Sequence, residues 1–96
     1  MEHLAKVDYD TLPYPVQRMP KVGDRVLYCL SSGYHVGEER PADVVRVWGA
    51  VCVNLQVITD GPNDFKENEP GYKGMFWATS ALHNTDPKPG HWRWGD

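Results

Sequence analysis

The 96-residue chain has no apolar run long enough to cross a bilayer, and its first residues, MEHLAKVDYD, lack the hydrophobic stretch of a secretory leader. A soluble, cytoplasmic protein is the expectation. Two cysteines, Cys29 and Cys52, are too few for a disulfide framework, and both fall in apolar strand-like segments as small buried hydrophobes would. They form no CxxC. The four histidines show no metal-ligand spacing, and the acidic stretch Asp60 to Glu69 lacks the spacing of a calcium loop. Neither HExxH, GxSxG nor a glycine-rich phosphate loop occurs, so no metal, no cofactor and no activated nucleophile is expected. Positive charge is also scarce. Ten Lys and Arg against thirteen Asp and Glu leave a net charge of −3, which disfavours general nucleic-acid binding.

Proline and glycine, by contrast, are plentiful. Eight and nine of them break the chain into short elements and exclude long helices. The clearest element is RPADVVRVWGAVCVNLQVITD, residues 40–60. Val51, Val53, Leu55 and Val57 alternate with Cys52, Asn54, Gln56 and Ile58, the period of a strand with one buried face. Ala42, Val44, Val45, Val47 and Trp48 make the preceding strand, with Pro41 at its start and a tight turn at Trp48-Gly49-Ala50. Before this hairpin, Gly23-Asp24 opens a strand over Val26 to Leu30. After it, Met75 to Ser80 and His91 to Trp94 read as two more. About five strands in one domain predict an all-β fold, a small barrel or sandwich. Residues 1–20, with Pro13, Pro15 and Pro20, read as an irregular N-terminal arm, and residues 21–96 as the barrel domain. An exposed edge strand would also make a homo-oligomer possible.

Two loops stand out. Ser31 to Glu39 is polar with two glycines, and Thr59 to Lys73 is unusually long for so small a domain. Tyr34, Trp48, Trp77, Trp92 and Trp94 give more aromatic area than such a domain can hide, because a tryptophan needs room and a partner for its indole N–H. The candidate binding residues are therefore Tyr34, Arg40, Trp77, Trp92, Arg93 and Trp94, placed where the two loops meet. For Trp92 and Trp94 the competing assignment is a plug at the barrel end. For Arg40 it is pairing with Glu38 and Glu39, whereas a free guanidinium would fork onto an anion.

The opening hydrophobe-Gly-Asp-x-Val is common in small SH3-like barrels, and that is the expected form of the fold. RPADVVRVW, VNLQVITDGPND, FWATS and PKPGHWRW together resemble a family of small uncharacterised proteins of tailed bacteriophages and prophages, over residues 20–95. The resemblance implies a non-catalytic accessory protein in the bacterial host cytoplasm. It would bind a host protein or a small nucleotide-like ligand, in the manner of proteins that counter host defence. A minor virion component is a further alternative. Gly23 to Val26 and Gly37 to Val45 are also similar to segments of the MazF/PemK-type toxin endoribonucleases. That second resemblance implies Arg40 as catalytic arginine and Thr59 as its helper.

Overall fold

The structure, a computed structural model, describes residues 18–95, so most of the expected N-terminal arm lies outside the described residues. Five strands follow one another: β1 (Arg25–Cys29), β2 (Glu39–Val47), β3 (Cys52–Ile58), β4 (Met75–His83) and β5 (His91–Arg93). They close in the order β1-β2-β3-β4-β5 into a barrel, the all-β, SH3-like architecture expected. The only helix among the described residues is a single 3-10 turn, Gly61–Asn63, inside the long loop. None is long and apolar enough to span a membrane.

Strand alternation places Val26 and Tyr28, Ala42 and Val44, and Val53, Leu55 and Val57 inside, each almost completely buried. Pro41 falls in β2 at no loss. Val44 exchanges backbone bonds with Gly23 and Asp24 on the β1 side, so by alternation Pro41 turns its nitrogen toward β3. There the ladder begins only at Ala42–Val57.

Two irregularities flank the middle of β3. The β2 register slips between Val44 and Arg46, and the β4 register slips opposite Val53–Leu55. Val45 is the extra residue in β2 and turns outward, exposed rather than in the core. In β4 the slip lies next to Ser80, which sits at φ 52, a left-handed conformation unusual for a residue with a side chain. Asn54 lies between the two. It is buried, although alternation assigns it to the outer face, and its Oδ1 accepts from Ser80 N (2.7 Å), Trp48 Nε1 (2.9 Å) and Thr79 Oγ1 (3.1 Å). A side-chain carbonyl thus serves the amide that the slipped ladder leaves over.

β5 is too short to close the barrel along its whole length. It pairs antiparallel with β1 at Leu27 and Tyr28, and parallel with β4 only at Leu82 and His83. The connection from Asn84 to Gly90 suffices for that parallel pairing because so little strand has to be retraced. Beyond it, β4 and the end of β1 part. Phe76 and Ala78 point inward there yet remain half-exposed, unlike the inward residues of β1 to β3.

Candidate functional site

The two loops do meet, as expected. What fills their junction is scaffold. Arg40 lays its fork on Asp64, with Nε to Oδ2 at 2.8 Å and Nη2 to Oδ1 at 2.7 Å, and donates a third bond to Glu39 O. Asp64 is completely buried, and Asp60 N donates to it as well. The bonds from Arg40 hold this carboxyl below its usual pKa range against the opposing effect of burial, and the same pairing raises Arg40 further. Glu38 adds only an outer contact at 3.2 Å. A guanidinium committed in this way has no free edge for a phosphate. Thr59 is committed too, donating its hydroxyl to Gly71 O and accepting from Gly61 N.

Phe65 is clamped in the same junction. A Cβ on Gly33 would stand 2.8 Å from its ring and one on Gly71 2.6 Å, and both glycines have positive φ. Only glycine lets the loops close this tightly. Phe65 meets Phe76 edge-on at 5.7 Å, and Phe76 meets Tyr28 at 5.8 Å, which stops the open side of the barrel. A cleft of about 70 Å³ remains beside them, lined by Ser32, Phe65, Glu69, Pro70 and Phe76. It is too small for a nucleotide.

The other expected site residues separate. Trp92 is 1% exposed, donates Nε1 to Val51 O, and packs edge-on against His83 and Trp94. It is the plug, because β5 turns it inward, and it cannot serve as a platform. Burial also pushes the His83 pKa down. Trp94 is half-buried against the core with Arg18 at 3.9 Å over its ring. Arg93 is spoken for by Glu39, with Nε to Oε2 at 2.6 Å and Nη2 to Oε1 at 2.8 Å, a clasp from β5 to β2 across β1. Tyr34 is exposed on the first loop, its backbone N bonded to Asp64 O. Trp77 is 59% exposed on the outer side of β4. Of the six, only Tyr34 and Trp77 offer open aromatic surface, and they lie on different elements, the first loop and β4.

The open surface gathers elsewhere, on the outer face of β2, β3 and β4. Val45, Trp48, Met75, Trp77 and Leu82 are the exposed large hydrophobics of those strands and the turn that follows β2. The register aligns them. Ile58 lies opposite Met75, Gln56 opposite Trp77, and Arg46 opposite Asn54. Stepping two strands and two residue pairs sets the two tryptophans on the order of 15 Å apart.

Trp48, 55% exposed, is held on two sides. Its N–H is bonded to Asn54, and the Arg46 guanidinium stacks 4.2 Å from the ring centroid. Arg25, Arg40 and Arg93 each have a carboxylate. Arg46 is exposed and, among the described residues, has none.

Neither Arg46 nor Asn54 was a sequence candidate. The available signal was Arg46-Val47-Trp48, two residues apart and so on one face of a strand. No cluster of His, Cys, Asp and Glu able to hold a metal occurs among the described residues. Among known protein families, curated proteins and solved structures, nothing matches this chain.

Proposed function

We propose that the protein is a recognition module that docks a partner protein on the outer face of β2, β3 and β4. The observation that carries this reading is the concentration of open hydrophobic surface on one face, from Trp48 and Leu82 at one end past Trp77 to Met75 at the other. Tryptophan, methionine and arginine are the side chains enriched at the centres of protein interfaces, and Trp48, Trp77, Met75 and Arg46 supply all three. Trp48 adds preorganisation. A ring already fixed by Asn54 and Arg46 loses little rotamer freedom on binding.

Charge favours the same face. The acidic groups Glu38, Asp60, Glu67 and Glu69 belong to the two loops at one end of the barrel, while the outer face of β2, β3 and β4 carries Asp43, paired with Arg25 of β1, and Arg46, which has no carboxylate among the described residues. Catalysis through Arg40 and Thr59 gains no support, because both are held by the scaffold. The resemblance to phage accessory proteins suggests a host protein as the partner.

The test is capture of a partner from bacterial lysate by the immobilised protein, compared with Trp48→Ser and Trp77→Ser variants of unchanged circular dichroism. Loss of the captured band in both supports the face as the site. A partner retained by both folded variants would remove it.

A further inference from the structure

β4 presents a second feature, independent of its side chains: an open backbone edge. Thr59 N donates to Gly74 O, which fixes which residues of β4 face β3. In the continuing register, Phe76 opposite Val57 and Ala78 opposite Leu55 turn their N–H and C=O toward β3. Met75 and Trp77 therefore turn theirs the other way. β5 reaches only Leu82 and His83 on that side, and among the described residues no other hydrogen bond meets the backbone of Met75 or Trp77.

Edge strands of monomeric proteins are ordinarily blunted by a charge, a proline or a covering loop. Met75-Phe76-Trp77-Ala78-Thr79 has neither charge nor proline. Met75, Trp77 and Thr79 are exposed, and the inward Phe76 and Ala78 are half-exposed because the barrel is open there.

We infer that this edge pairs with the same edge of a second copy of the chain, antiparallel about a two-fold axis at Trp77. The segment is self-complementary in this arrangement. Trp77 meets its own counterpart in a reciprocal pair of N–H···O bonds, and Met75 of each copy lies opposite Thr79 of the other. The pairing brings two Trp77 rings onto one outer surface as a cross-strand aromatic pair. No like charges oppose each other along the edge, since the segment carries none. The outer faces of the two copies then form one continuous surface, with the paired Trp77 rings at its centre and Trp48 of each copy left open on either side.

The experiment is light-scattering mass together with amide hydrogen exchange on the full chain, from low to high micromolar concentration. The expected result is twice the monomer mass at the upper end, with the amides of Met75 and Trp77 slowing at least tenfold as the dimer forms. Trp77→Lys, which sets two cations opposite each other at the axis, is expected to return the monomer mass and fast exchange with an unchanged dichroism spectrum. A monomer at every concentration overturns the inference. So does a dimer in which these two amides stay fast, since it would be built on another surface. Both results leave the lysate test of the outer face standing or falling by itself.

Discussion

Arg40 and Arg46 lie six positions apart on β2 and have opposite fates. Arg40, at the loop end, is forked onto a buried aspartate and carries the junction of two loops. Arg46, beyond the bulge, rests on an exposed tryptophan with no carboxylate among the described residues. The tryptophans divide in the same way: Trp92 fills the barrel, and Trp77 stands outside it. Residue type therefore does not separate scaffold from open surface in this molecule. What separates them is whether the polar or aromatic group has already found its partner within the chain.

The sharpest way to break this comparison is to make one substitution in both regions. Trp92→Ala is expected to lower unfolding free energy by about 4 kcal/mol, through lost burial and the residual cavity. For a domain this small that is a large share of the total, so the variant should be mostly unfolded at room temperature. Trp77→Ala is expected to stay within about 0.5 kcal/mol of the parent in urea denaturation. Comparable losses at both positions would mean that Trp77 is scaffold as well.

Asp64→Ala comes next. Removing the carboxylate leaves the mostly buried Arg40 without its partner, at an expected loss of about 3 kcal/mol, and Arg40→Met with Asp64→Leu should recover part of it. Because the folded-state pKa of Asp64 is depressed, its contribution is complete above the ordinary carboxylate pKa of about 4 and is lost as pH falls toward the folded value. His83 acts in a higher window. Its pKa is lowered by burial, so its contribution is complete above about 6.5 and declines as pH drops below that. A urea midpoint measured against pH should therefore fall first in the range where His83 titrates and again near pH 4. The second step should be smaller in Asp64→Asn, with the part due to Asp24, whose pKa is lowered by Lys21, remaining.

The strands themselves were legible. The period in Val51 to Ile58, the turn residues and the aromatic tail predict five strands, because alternation and turn chemistry are local properties. Three things were not legible. A bulge adds a residue without marking the pattern, so Asn54 reads as solvent-facing when it is buried. Arg40 reads against its neighbours Glu38 and Glu39, but its main partner is Asp64, brought close only when Gly33 and Gly71 let the loops close over Phe65. Trp92 and Trp94 read as plug or as platform. The choice follows from where β5 joins β1, a contact with no local signature.

Asn54 links the two regions, since its Oδ1 serves both the β4 backbone and the exposed Trp48. Asn54→Ala should lower stability by about 2 kcal/mol, because the partly buried Ser80 amide loses its acceptor and the buried Asn54 side chain leaves a void. It should also free the Trp48 ring, seen as a red-shifted and less structured emission in a Trp77→Phe background. If emission stays unchanged while stability falls, Asn54 supports the backbone alone, and the fixed ring must be attributed to Arg46.

Arg46→Gln has the smallest expected effect on the fold and is for that reason the most informative about the outer face. The guanidinium is exposed and makes one ring contact, so stability should change by less than about 0.5 kcal/mol. Partner capture should nonetheless weaken severalfold, and Arg46→Lys should restore only part of it. An ammonium keeps the charge, but it cannot lie flat on Trp48 while forking onto a partner's carboxylate. Full rescue by lysine would show that charge alone matters there. Unchanged capture in Arg46→Gln, alongside loss in Trp77→Ser, would shift the recognition centre to β4 and leave Arg46 merely uncommitted.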